Sequence, residues 1–472
     1  MRTTNKPLLR RPRVAGAFLA VAALLLAACA SEDDGADTES VAAASSDATD
    51  DETAAESDTA ADTEEVAANG EVDVIRLTYV SPDFLGVPIE EALDDLRGQV
   101  DFEIETRQVN GWYGDLAQAV QREIAADDVS DIAMMGLSNL RQFVEADRVT
   151  PLTDLFDAEG QDFAAMYDPA FLDLMSFDGE LYGMGYAYSN AVMYYNRDLF
   201  EQAGLDPDAP PETWEDVLAV SRTMREALGE DVVPITYPTD GDNWMFQTNL
   251  ASAGGSFMNE AETEFTFNSP EAVAAVEFWK GLVDEGLMPI EGYDDMRERF
   301  FQGNQGMILD TVGALGRVDE GVGDRFAWDT GLLPIPADGE RALAVGGSGF
   351  SIMTDDPDRV AAAWEVLKYL ASPEVQYEQS TQLGYLSTNL LVTETSADDE
   401  PWGRLEELEE DPRLQPGYQQ ASDSIPWFSA PRNNVEVDDL IVDAVAAAMR
   451  GLDDTQTVLD EAVARANELL TR

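Results

Sequence analysis

The chain has no histidine, one cysteine and three lysines among its 472 residues. Each scarcity excludes something. Without histidine the commonest general base and the commonest transition-metal ligand are gone, and neither a Ser-His-Asp nor a Cys-His nucleophile can be assembled. A lone Cys29 leaves no intrachain disulfide. Lysine is confined to Lys6, Lys280 and Lys368, while Asp and Glu number 94 against 28 Lys and Arg, a net charge of −66. So acidic a surface excludes nucleic acid, whose binding needs phosphate-neutralising cations. It also disfavours anionic lipid headgroups. It suits a saline medium, where self-repulsion is screened. No cofactor or metal is expected. No spacing among the many acids singles out the carboxylate pair of a hydrolase, so no catalytic residue is named. A structural or adhesive surface protein is the other non-catalytic alternative.

What is present begins with a targeting segment. Arg2, Lys6, Arg10, Arg11 and Arg13 precede an apolar run, Val14 to Ala28. That run is too short for a stable membrane span. It ends in Leu26-Ala27-Ala28-Cys29, which resembles a bacterial lipobox. The resemblance implies a signal peptide over 1–28, cleavage before Cys29 and lipid attachment to its sulfur. Residues 30–70 hold 14 acids and no Lys or Arg. Such a segment buries too little apolar area to fold, and reads as a solvated tether over 29–71. Residues 1–29 contribute +5 and residues 30–70 contribute −14, which leaves −57 for residues 71–472.

From Val74 the pattern is globular. Val74–Val80 alternates as a strand, 88–96 is helical, and 102–109 alternates again. An amphipathic helix spans 111–126, a short apolar strand 131–135, and a helix 138–146. This βαβαβ order predicts a parallel sheet with helices on its faces. Ligands bind such sheets at the carboxyl ends of strands, which nominates the loops 81–85, 110–113 and 136–139. A strand at 182–188 then runs through Ser189-Asn190 into a second unit, and Thr213 reads as an N-cap with Asp216 three residues on. Later come helices at 270–285 and 294–302, a strand at 306–310, a glycine-rich strand at 344–353, helices at 357–371 and 373–383, an acidic stretch at 396–414, and final helices near 435–450 and 455–470.

Several pieces together resemble the family 1 extracellular solute-binding proteins of ABC importers, which include maltose-binding and glycerol-3-phosphate-binding proteins. They are DIAMMGLSNLRQFVEADRVTPLTDL (131–155), VMYYNRDLFEQAGLDPDAPPETWEDV (192–217), FQGNQGMILDT (301–311), GGSGFSIM (346–353), AWEVLKYLASPE (363–374) and GYLST (384–388). The resemblance implies an α/β fold of the periplasmic-binding-protein type II, with two lobes joined by hinge crossings and a ligand cleft between them. The crossings would fall near 186–191, 345–350 and 398–405. Lobe 1 would comprise 72–188 plus 348–400, and lobe 2 would comprise 189–347 plus 401–472. The implied function is capture of a carbohydrate or polyol for a membrane permease, by a monomer outside the cytoplasm that touches the membrane only through its lipid. Glycerol-3-phosphate or a glycerophosphodiester is the alternative ligand.

Sugar sites combine hydroxyl-pairing groups with an aromatic face. Trp112 and Tyr113 fit that need in a glycine-flanked loop. By the resemblance Tyr113, Ser189, Trp244 and Tyr385 match cleft positions, and Arg432 falls near an arginine able to clamp a phosphate. Asn190 shares the hinge with Ser189. Asp310 and Thr311 end the 306–310 strand on its carboxyl side. Gly346, Gly347, Ser348 and Gly349 offer backbone N–H groups at the second crossing, where hinge freedom alone would also call for glycine. Two departures stand out. The glutamate of the glycerol-3-phosphate subgroup is absent from Met134-Met135-Gly136-Leu137-Ser138, and the stacking tryptophan of maltose-type members is absent from Val312-Gly313-Ala314.

Overall fold

The computed structural model describes residues 72–81, 85–239 and 243–471. The signal peptide, Cys29 and the tether lie outside them. Alternation sets the strands. In β1 (Val74–Val80) the apolar side chains Ile75, Leu77, Tyr79 and Val80 are buried. β2 (Glu103–Val109) and β3 (Ile132–Gly136) flank it in parallel, as the βαβαβ order predicts. β4 (Met184–Ser189) stands at the far edge of this sheet.

The second sheet is built from β5 (Ala191–Asn196), β6 (Val233–Thr236), β7 (Gln305–Thr311) and β8 (Trp328–Gly331), in the order β8-β5-β7-β6. β9 (Gly346–Ile352) then returns to the first sheet, antiparallel between β3 and β4. The two sheets are the cores of two α/β lobes. Helices begin where capping chemistry puts them. Ser269-Pro270, Asp356-Pro357 and Ser372-Pro373 each set a side-chain acceptor before a proline at the first helical position. The Thr213 hydroxyl caps Asp216 N–H at 3.1 Å, as its position suggests. The helix expected over 138–146 is shorter, Leu140–Val144, and Asp147 beyond it turns the chain with φ +52°.

Only Asn190 separates β4 from β5, so one extended strand serves both sheets. Asn190 is fully buried; its Nδ2 donates to Gly417 O at 2.8 Å and its Oδ1 accepts from Gln420 at 3.1 Å. Val345 divides the pair Leu343–Ala344 from β9 at the second crossing. The third passage comes later than 398–405. Arg404 is still held to the first lobe, its guanidinium donating to Ser380 Oγ at 2.5 Å and its N–H to Val392 O at 2.8 Å. The second sheet has been reached at Arg413, whose O accepts from Thr330 Oγ1 at 2.7 Å.

Candidate functional site

A cavity of about 600 Å³ opens between the lobes. Two of the three loops nominated from the strand ends reach it, through Trp112 and Tyr113 and through Ser138 and Asn139. Of the loop 81–85, the described residues Ser81 and Leu85 are not part of the lining.

Tyr113 begins the helix after β2 and lies on β3 at Gly136, where an added Cβ would sit 2.7 Å from the Tyr113 Cβ and Cγ. Its hydroxyl donates to Ser348 Oγ at 3.3 Å, and Trp427 stands edge-on at 6.3 Å. Tyr385 repeats the device. Its ring lies on Gly313, where a Cβ would come within 2.5 Å. Burial, and after it the neighbouring Tyr113, push the Tyr385 phenol well above its ordinary range, so it remains a neutral donor. Both stretches that lack an expected family side chain therefore hold a glycine under a tyrosine ring.

The second lobe supplies Trp244, Tyr293 and Trp427. Trp244 opens the helix Trp244–Ser252 rather than lying in a loop, and its Nε1 donates to Ala344 O at 2.7 Å. Trp427 Nε1 donates to Asn243 Oδ1 at 3.0 Å. With their only donors satisfied, both indoles present apolar faces. Ser189, Thr311, Gly346 and Gly347 form the floor at the crossings. Gly347 has φ +122°, and a Cβ there would lie 1.9 Å from Ala187 O. Hinge geometry therefore requires that glycine, whatever its N–H group binds.

Of the residues expected at the site, Trp112, Tyr113, Ser189, Trp244, Thr311, Gly347 and Tyr385 line the cavity. Four do not. Asn190 ties the hinge to Gly417 and Gln420. Ser348 is buried behind the Tyr113 hydroxyl. Asp310 is fully buried in a bidentate pair with Arg297, Nε–Oδ2 2.7 Å and Nη2–Oδ1 2.8 Å. Arg432 is exposed and outside the lining, while Asn434, two residues on, is buried.

Sequence reasoning missed Tyr293, Arg297 and Trp427. Tyr293 and Arg297 are four apart at the start of the helix Tyr293–Phe301, a spacing that stacks them. Trp427 sits in IPWF, five residues before Arg432. The rim carries Asp115, Asp294, Asp295, Asp438 and Asp439. Asp115 accepts from Trp112 N–H and Asp438 from Asn243 N–H. Among the described residues no group of three or more His, Cys, Asp or Glu could hold a metal ion.

Residues 91–410 match the family described as bacterial extracellular solute-binding protein. The sn-glycerol-3-phosphate-binding periplasmic protein UgpB of Shigella flexneri is 24% identical over 343 residues, covering 69% of this chain and 76% of its own. The fold is shared with UgpB from Mycobacterium tuberculosis in complex with glycerophosphocholine (TM-score 0.74, 20% identity, 85% of this chain and 99% of that one). It is shared too with an ABC substrate-binding protein from Listeria monocytogenes in complex with cycloalternan (TM-score 0.72, 19% identity, 85% and 100%). A cyclic alpha-maltosyl-1,6-maltose binding protein from Arthrobacter globiformis is similar as well (TM-score 0.69, 23% identity, 85% and 99%).

Proposed function

The chain belongs to the bacterial extracellular solute-binding proteins, and from that membership we infer that its cleft captures a carbohydrate or polyol for the permease of an ABC importer. The observation that carries this reading is the composition of the cavity wall. Six aromatic side chains, Trp112, Tyr113, Trp244, Tyr293, Tyr385 and Trp427, surround hydroxyl and backbone groups at the hinge. Flat rings take the C–H faces of a sugar, while hydroxyls and amides pair with its edges. Seven of the expected residues act as ligand contacts in this reading, joined by Tyr293, Arg297 and Trp427. The relatives that bind cycloalternan and cyclic maltosyl-maltose support it.

Lobe 1 then comprises the first sheet with the chain that returns through β9, and lobe 2 the second sheet with the two final helices. Rotation about Asn190 and Val345 closes the cleft. Closure presents a surface that the permease reads, and the protein performs no chemistry on its cargo. Cys29 carries the lipid of a monomer held outside the cytoplasm; Cys29→Ala should release the protein into the medium.

Glycerol-3-phosphate or a glycerophosphodiester is the second reading, favoured by the relatives named for those ligands. A thermal-shift screen of sugars, polyols and glycerophosphates tests both. A ligand at a hundred times its Kd adds about 2.7 kcal/mol of stability. No shift with any of them would overturn the role.

A further inference from the structure

We propose that Arg297 selects uncharged, hydroxyl-bearing ligands: it is a rigid donor whose charge is already matched, and the cleft discriminates against phosphate monoesters. This rests on the solute-capture reading above and names the ligand class more narrowly.

Arg297 lines the cavity, yet its side chain is only 6% exposed. Nε and Nη2 are taken by Asp310 at 2.7 and 2.8 Å. The guanidinium also lies over the Tyr293 ring, 4.9 Å from its centroid. These contacts fix its plane. Burial alone would lower its pKa, but the Asp310 carboxylate raises it beyond the ordinary arginine range, so the charge stays. Nη1 has no hydrogen-bond partner among the described residues. A buried donor without an acceptor is costly, and a ligand oxygen that reaches Nη1 as the cleft closes would supply one.

The class of that oxygen follows from the surrounding charge. Asp310 already neutralises the guanidinium at bidentate distance. Asp294 and Asp295 open the same helix, and Asp438 and Asp439 face the same cavity. Arg317 lies close enough that, after burial, the like charge of Arg297 lowers its pKa; it is not part of the lining. Arg432, the arginine that could have clamped a phosphate, is exposed elsewhere. A dianionic phosphate entering here would meet five rim carboxylates and one guanidinium already engaged by a sixth. A sugar hydroxyl meets no such repulsion, and it can accept from Nη1 while donating to a rim carboxylate.

The test is calorimetric titration of the purified protein with matched pairs: glucose and glucose 6-phosphate, maltose and maltose 1-phosphate, glycerol and sn-glycerol 3-phosphate. The expected result is that the best pair shows the uncharged member binding at least tenfold tighter. The double variant Arg297→Met with Asp310→Asn removes the donor and its counter-charge together, while keeping an acceptor for Thr311 N–H. It should fold, by circular dichroism, and lose at least tenfold in affinity for that same sugar. A phosphorylated member binding more tightly, or a folded double variant with unchanged affinity, overturns this inference alone. No binding by any member of any pair overturns the solute-capture reading as well.

Discussion

Arg141, on the short helix after β3, grips Glu262, on a turn of the other lobe, through two parallel hydrogen bonds, Nη1–Oε1 at 2.7 Å and Nη2–Oε2 at 2.6 Å. A second tie runs beside it, from Asn434 Nδ2 to Ser138 O at 2.8 Å. Both join the lobes at the edge of the cleft. Glu262 has a left-handed backbone, φ +51°.

Glu262→Gln should therefore ease the lobes apart. Both partners are partly exposed, so the pair contributes at most about 1 kcal/mol, which sets a ceiling of roughly fivefold on the loss of ligand affinity. Small-angle scattering of the ligand-free variant should show a larger radius of gyration. Acid should mimic the substitution. Arg141 lowers the Glu262 pKa below its ordinary 4.5 in the folded protein. The contact is thus fully present above that value and is lost as pH falls through the lowered one. An unchanged scattering profile in the variant would count against the clasp.

Gly313→Ala should disable the site while leaving the lobes folded. The new Cβ would sit 2.5–2.8 Å from three carbons of the Tyr385 ring. Overpacking of this kind costs about 1–3 kcal/mol, visible as a lowered melting temperature. The displaced ring should reduce ligand affinity at least tenfold, and a crystal structure of the variant would show Tyr385 moved.

Trp112→Ala separates binding from stability. Trp112 is 45% exposed and caps its helix through its backbone, which alanine retains. The melting temperature of the free protein should hold within about 1 °C, while titration shows a loss near tenfold, the worth of one aromatic face against a ligand. A wild-type affinity would remove Trp112 from the site.

Arg432→Ala should change neither stability nor affinity by more than about twofold, because the side chain is exposed and outside the cavity lining. A large loss for any phosphorylated ligand would restore Arg432 to the site.

Salt should stabilise the protein. With −57 carried by residues 71–472, self-repulsion falls as the screening length shrinks from about 10 Å at 0.1 M to about 3 Å at 1 M. The melting temperature should rise over that range, and an unchanged value would sink the idea of salt adaptation.

Much of the fold was legible because its signals are local. Alternation in 74–80 gave the first strand to the residue, and Thr213 with Asp216 marked a helix start. The loops at 110–113 and 136–139 were reached by a general rule about parallel sheets, and both line the cavity. The site was read less completely. Asp310 looked like a ligand group because it ends a strand on the right side; nothing local shows that Arg297, thirteen residues earlier, closes over it. For the same reason nothing local shows that Arg297 lines the cavity while Arg432 lies outside its lining.

By itself the sequence determined what chemistry is excluded, which strand passes between units at Ser189-Asn190, and which family's order of motifs the chain follows. Absent side chains and local periodicity need no knowledge of distant neighbours. Only the tertiary structure decided which polar groups line the cavity and which are consumed in holding the wall. A side chain's partner is whatever the fold brings within hydrogen-bond distance, and here a buried carboxylate turned an arginine from a free cation into a matched, directed donor.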